Sequence, residues 1–166
     1  ARRAGELNIR TVVLATTSGR TAFEALDRLG EGFGIVAVTH VTGFSGPNIQ
    51  EMSEKDRGEL EKRGVRVLTC QHTFGGIGRA VRNKLGTYQV DEIIAYALRV
   101  FGQGVKVAVE VALMAADAGL VSAGEDVISV GGAGKGADSA IVLQPANSFH
   151  FFDLKVKEII CKPVSF

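Results

Sequence analysis

The strongest constraint on this chain is a set of short stretches rich in β-branched and apolar residues that do not alternate polar with apolar. They cover residues 9–15, 35–41, 65–70, 126–130 and 139–143. A strand with one wet face alternates; a strand covered on both faces reads as a continuous apolar run. Helix-patterned segments separate the first four stretches. Ala22, Phe23, Leu26 and Leu29 share one helical face, and Gly30 is a natural stop. Residues 51–62 read as a charged, largely solvated helix. Val90, Ile93, Ile94, Ala97, Leu98 and Phe101 mark an amphipathic helix. Residues 105–120 are apolar nearly all round, so that helix should be buried. Strands alternating with helices predict an α/β fold, a mostly parallel sheet between helical layers. Only eight residues, 131–138, separate the fourth and fifth strands. A parallel crossover needs a dozen or more, so this pair should be antiparallel. Ile159 and Ile160 suggest a further short strand, and Phe149, Phe151 and Phe152 should cover a sheet face or edge.

The 166 residues fit one domain spanning 1–166, with no internal repeat. The chain opens at Ala1 on what reads as the end of a helix (residues 1–7), so a truncated N-terminal helix is expected. The apolar content of 46% argues against disorder. Nineteen basic residues face eighteen acidic ones without a basic block, so nucleic acid is not an expected partner. No apolar run reaches the length of about 18 residues that a membrane span requires. The two cysteines, Cys70 and Cys161, have no metal-binding spacing. They read as buried free thiols in a reducing cytoplasm. A homo-oligomer is left open.

Glycine is the compositional outlier, at 21 of 166 residues, where roughly 7% is usual. Its clusters lie in loops, where backbone can come close to a ligand. The first candidate site is Thr16-Thr17-Ser18-Gly19-Arg20-Thr21, between the first strand and the following helix. A helix N-terminus offers unpaired N–H groups and the positive end of the helix dipole. Thr17, Ser18 and Thr21 add hydroxyls, Gly19 allows close approach, and Arg20 can pair with an anion, which together suit a phosphate. Ordinary N-capping by Thr17 or Ser18 is the alternative. The second candidate is Gly131-Gly132-Ala133-Gly134-Lys135-Gly136, after the fourth strand. Lys135 could meet a phosphate and the glycines could present backbone N–H groups. Its spacing is not that of a P-loop, and a glycine-rich hairpin would read the same way.

Residues 71–86 form a long glycine-rich segment, read as a functional loop or a short helix. Within it, Gly75-Gly76-Ile77-Gly78-Arg79-Ala80 resembles the dinucleotide loop of short-chain dehydrogenases. His72 stands where an earlier glycine is needed, and Tyr88 and Tyr96 are not followed four residues later by lysine. That reading is rejected. His40 ends the second strand on the ligand side of the sheet, His72 ends the third, and His150 sits among phenylalanines. No metal is expected, since no pair has ligand spacing. Lys106 and Glu110 are four apart in the apolar helix and read as a helical ion pair.

The strand-turn-helix at residues 16–22 and the following strand Ile35-Val36-Ala37-Val38-Thr39 resemble the C-terminal domain of pyruvate kinase. The run from Gly124 through Gly136 is similar to that domain's penultimate strand and loop. Residues 105–146 are most similar to stand-alone pyruvate kinase C-terminal-domain-like proteins of archaea and bacteria. The resemblance implies a three-layer α/β/α sandwich around a five-stranded sheet of order 3-2-1-4-5, with strand 5 antiparallel. It implies a phosphate site at Thr17, Ser18, Gly19, Arg20 and Thr21, and less directly at Gly131 to Gly136. Strands 1 and 4 would then meet at the switch point of the sheet, where ligands favour the crevice. The (β/α)₈ barrel that catalyses pyruvate kinase chemistry takes about 250 residues and has no counterpart here. Pyruvate kinase activity is therefore not expected.

The function expected is binding of a small phosphorylated ligand at the switch point, in the cytoplasm. FMN or another mononucleotide is the cofactor expectation. The contributing residues are Thr17, Ser18, Gly19, Arg20, Thr21, His40, Gly131, Gly132, Gly134, Lys135 and Gly136. One alternative is an enzyme acting on a phosphorylated metabolite, with His40 or Lys135 as acid or base. The other is a regulatory module without catalysis.

Overall fold

A computed structural model describes residues 1–165. The strands are β1 (Thr11–Ala15), β2 (Gly34–Val38), β3 (Arg66–Leu68), β4 (Val127–Gly131), β5 (Ser139–Gln144) and β6 (Lys155–Cys161). The helices are α1 (Arg2–Glu6), α2 (Arg20–Leu29), α3 (Glu54–Lys62), α4 (Ile77–Leu85), α5 (Val90–Leu98) and α6 (Gln103–Asp117). Short 3₁₀ turns occupy Arg99–Phe101 and Ser148–Asp153. The sheet order is β3-β2-β1-β4-β5-β6. The first four strands run parallel, and β5 is antiparallel to both β4 and β6.

The expected five-strand order is therefore present and gains a sixth strand at the β5 edge. That strand is longer than the short one expected near Ile159 and Ile160. It lacks the apolar signature because it is a wet edge: Lys155, Val156 and Lys157 are exposed, and its pairing slips twice. Lysines and irregular register are how an edge strand avoids pairing with another chain.

Continuous apolar strands supply both faces of the sheet. Val13, Val36, Val38, Val127, Ile141 and Leu143 pack beneath α6. Leu14, Ile35 and Ala37 face the other way, onto Ala22 of α2, Leu60 of α3 and Met52. Ala4 of α1 closes a third cluster with Val12, Ile128 and Val142. Twelve of the fifteen residues of α6 are buried, as an all-round apolar helix requires. The helix sits tight on β4. A Cβ on Gly131 would lie 2.1 Å from the Gly104 carbonyl oxygen and 2.7 Å from the Ala108 nitrogen. Ser129 seals the contact by donating to the Ala108 carbonyl at 2.7 Å.

Within the glycine-rich segment 71–86 the short-helix alternative holds, since residues 77–85 form α4. Two expectations change. Phe149 and Phe152 do not cover the sheet: they are 93% and 92% exposed. Only Phe151 packs on the core, edge-on to Phe74 at 6.0 Å. The two cysteines are free but not both buried; Cys70 is half-buried and Cys161, on the edge strand, is exposed. On α5 the apolar pattern splits: Ala95, Ile94 and Leu98 face the core while Val90 and Ile93 face solvent.

Candidate functional site

The strand order puts β1 beside β4, so the loops leaving their C-terminal ends face each other across the switch point. A cleft of about 460 Å³ opens there. That volume falls within the range of small-molecule sites. Its walls come from the turn after β1, the loop after β4, the segments following β2 and β3, the 3₁₀ turn after α5, and α6 from Gln103 to Met114.

The turn after β1 is shaped by Gly19, whose φ of +93° belongs to the left-handed region. Gly19 is the N-cap of α2, and its own N–H donates to Thr16 Oγ1 at 3.1 Å. No side chain caps the helix. The expected alternative, capping by Thr17 or Ser18, is therefore not what these hydroxyls do. Ala22 and Phe23 donate back to the Gly19 carbonyl. Among the described residues, the N–H groups of Thr17, Ser18, Arg20 and Thr21 meet no acceptor. Four free backbone donors and the positive end of a ten-residue helix thus stand in one turn, of which Thr17 and Thr21 line the cleft.

The loop after β4 reaches this turn directly: Arg20 donates through Nη2 to the Lys135 carbonyl at 3.3 Å. The Ala133 N–H is taken by Asp138 Oδ2 at 3.0 Å. A Cβ on Gly132 would fall 1.9 Å from the Gly136 carbonyl oxygen, so this glycine lets the loop fold on itself. Of the residues singled out in the sequence, Thr17, Thr21, His40, Gly132, Gly134 and Gly136 line the cleft. Arg20 and Lys135 instead tie the two loops together, with both side chains exposed. Gly131 is buried beneath α6, Gly19 shapes the turn from behind, and Ser18 is exposed at its tip.

The opposite wall joins the expected His40 to residues that sequence reasoning did not assign to the site, among them Phe44, His72, Lys106 and Glu110. His40 Nδ1 meets Glu51 Oε2 at 2.7 Å. The His40 ring lies 4.1 Å from the Phe44 ring and 5.5 Å from the His72 ring. His72 Nε2 accepts the Val41 N–H at 3.2 Å, which leaves its proton on Nδ1. Burial pushes the His72 pKa down; Glu110 opposes this, while His40, Lys106 and Arg79 add to it. On α6, Lys106 Nζ donates to Glu110 Oε2 at 2.5 Å, and both side chains are more than nine-tenths buried. Glu110 Oε1 also accepts the Phe74 N–H at 2.9 Å. Burial lowers the Lys106 pKa, Glu110 pulls it back, and Arg99 and Arg79 lower it further. Arg79 from α4 and Arg99 from the turn after α5 complete the wall. The sequence signals for this wall were the strand-end histidines His40 and His72 and a pair of charges inside an apolar helix.

The family model for the pyruvate kinase alpha/beta domain matches residues 1–143. The chain belongs to that family. The match covers β1 to β4 and most of β5, and so includes both loops of the switch-point cleft. The pyruvate kinase alpha/beta fold expected from the turn at residues 16–22 is the fold observed. Among the described residues, no helix is long and apolar enough to cross a membrane.

Proposed function

We propose that this pyruvate kinase alpha/beta domain binds a phosphorylated small molecule in the β1–β4 cleft, with the phosphate on the turn at Thr17 to Thr21. One observation carries the reading. The N–H groups of Thr17, Ser18, Arg20 and Thr21 lie at the α2 N-terminus without acceptors, and Thr17 and Thr21 line the cleft. Free N–H donors at a helix N-terminus are the usual chemistry of phosphate recognition. The glycine loop, at Gly132, Gly134 and Gly136, then forms the facing wall. A mononucleotide such as FMN is the first ligand to test, because the His40 and Phe44 rings, 4.1 Å apart, give the cleft an aromatic wall against which a ring can pack. The same reading places the domain in the cytoplasm, and two unbridged cysteines support a reducing compartment.

The test is titration with FMN and with glycerol 3-phosphate, read by thermal shift and by quenching of flavin fluorescence. Thr17→Asp sets a negative charge among the donors and should weaken either ligand at least tenfold. Unchanged affinity in that variant would move the phosphate elsewhere and sink the proposal.

A second reading is an enzyme acting on a phosphorylated metabolite. It is favoured by the His40–Glu51 pair, since a carboxylate on Nδ1 orients the imidazole for proton transfer at Nε2. It predicts turnover that His40→Gln abolishes and Glu51→Gln reduces.

A further inference from the structure

Helix α5 turns apolar side chains to water and charges inward. Val90, Ile93, Tyr96 and Val100 are 72, 57, 53 and 70% exposed, and Ala97 and Phe101 are exposed with them. At 3.6 residues per turn these six share one side of the helix and its 3₁₀ extension, and none is charged. The charges lie on the other side. Glu92, only 5% exposed, accepts from Arg82 Nε of α4 at 2.8 Å. Asp91 lies against α4, where a Cβ on Gly78 would meet its carboxylate. Arg99 donates to Gln103 Oε1 of α6 at 2.7 Å. Tyr88 widens the apolar side, standing edge-on to Tyr96 at 5.6 Å and half exposed itself. None of these apolar residues lines the switch-point cleft.

A buried carboxylate beside exposed valine and isoleucine is the inverse of a free surface helix. The exposed side chains together offer roughly 700 Å² of apolar surface at the sizes of such residues. The largest patch on a typical monomer is about 300–600 Å², whereas each partner of a standard interface contributes about 800 Å². The face therefore has the area that a stable dimer needs, and the tyrosines and phenylalanine that interfaces favour.

The spacing indicates the occupant. Val90, Ile93, Ala97 and Val100 follow one another in steps of three, four and three, the seam of a coiled coil. That series reads the same in both directions. A two-fold axis crossing α5 at the level of Ala95 sets two copies antiparallel, with Val90 opposite Val100 and Ile93 opposite Ala97. The larger side chain then meets the smaller one twice, which is the self-complementarity a two-fold contact demands. With no charge on the face, the copies approach without repulsion.

We propose that the α5 face is an interface with a second copy of this chain, in which α5 packs antiparallel on its counterpart through Val90, Ile93, Ala97 and Val100. Tyr88, Tyr96 and Phe101 close its rim. The pairing does not depend on what the switch-point cleft binds.

Sedimentation velocity tests it, from about 1 to about 200 μM, since interfaces of this size dissociate at micromolar concentrations or below. A species of twice the chain mass should predominate at the upper end. Ile93→Glu and Ala97→Lys should each weaken that dimer at least tenfold and keep a cooperative melting transition. Mixed in equal amounts, the two variants should regain it, because the new carboxylate of one faces the new amine of the other. A folding defect would not be rescued by mixing. Phe152→Ser alters a 92% exposed side chain on a different element and should leave the dissociation constant within twofold.

A wild type that stays monomeric throughout overturns the proposal, whatever else the face then binds. So does a dimer that Ile93→Glu leaves intact or that Phe152→Ser dissolves, since the contact would lie elsewhere. A mixture that stays monomeric overturns the antiparallel pairing. If Ile93→Glu loses its melting transition, hydrogen exchange of the wild type decides. Amides of residues 90–101 must gain protection as concentration rises, and unchanged protection there refutes the interface.

Discussion

Replacing Glu110 by glutamine separates the two things this carboxylate does. The amide oxygen of glutamine can still accept the Phe74 N–H, which Glu110 Oε1 takes at 2.9 Å. It cannot neutralise Lys106, whose side chain is 4% exposed. Removing one partner of a buried ion pair costs about 3–5 kcal/mol. An independent limit comes from the lysine itself. A buried ammonium can always escape by losing its proton, and at pH 7 that costs about 4–5 kcal/mol from an ordinary lysine pKa. The two figures agree, and each is a large share of a typical domain stability of about 5–15 kcal/mol.

The pH dependence gives the sign. In Glu110→Gln the folded state holds Lys106 neutral while the unfolded chain binds its proton below the ordinary lysine value. The unfolded state then binds more protons, so the variant should gain stability as pH rises, by about 1.4 kcal/mol per unit. Urea unfolding at pH 7, 8, 9 and 10 should show its deficit against the wild type shrinking towards zero. Lys106→Met should behave in the opposite sense. Its Glu110 would be protonated when folded and ionised when unfolded, so its deficit should grow with pH above the usual carboxylate range, to about 3–4 kcal/mol at neutral pH. A Glu110→Gln deficit below about 1 kcal/mol, or one flat with pH, would refute the view that this pair is desolvated.

The contact between α6 and β4 permits a graded comparison. Gly131→Ala would press its Cβ against backbone, the Gly104 oxygen and the Ala108 nitrogen, and should cost about 3 kcal/mol or more in chemical denaturation. Gly104→Ala would meet Asp138 Oδ1 and Ser139 Oγ, which can turn aside, and the fixed Ser139 Cβ at 2.8 Å, which cannot, so it should be destabilising but cost less. His72 should make the domain acid-sensitive. Burial holds its folded pKa below the ordinary 6.5, so the unfolded chain takes up a proton first as pH falls. Stability should then drop on acidification through that window, by at most about 1.4 kcal/mol per unit. Protonation would also remove the Nε2 acceptor for the Val41 N–H. His72→Gln, whose amide oxygen can still accept, should flatten this slope in unfolding midpoints between pH 7 and pH 5.

Much of the fold was readable from local pattern. Runs such as Ile35 to Val38 carry apolar side chains on both faces, and only a sheet covered on both sides buries them all. The eight residues between the fourth and fifth strands forced an antiparallel pair, which β4 and β5 form. Residues 103–117 are apolar around nearly the whole circumference, so α6 had to be the central helix. Burial misled wherever it depended on neighbours. Phe149 and Phe152 have the composition of a covering patch, yet only Phe151 finds the core. The edge strand β6 shows too little apolar pattern for its seven residues to be read.

The candidate site divides along the same line. Taken alone, the sequence determined that a hydroxyl-rich turn containing a glycine joins β1 to α2, because strand ends, glycine turns and helix starts are written in neighbouring residues. It also determined that glycines cluster after β4, though not why: Gly131 and Gly132 are there for backbone packing. Only the tertiary structure decided which side chains share the cleft. Arg79, Arg99 and Lys106 belong to three different segments, and the turn at Thr17 lies far from all of them along the chain. Their meeting depends on the strand order and on α6 lying close against β4. Lys135 was drawn outward by the same geometry, because the loop that carries it is held to Arg20 through its carbonyl and not its amine. Such distances are set by how whole elements pack, and no local pattern of residues records them.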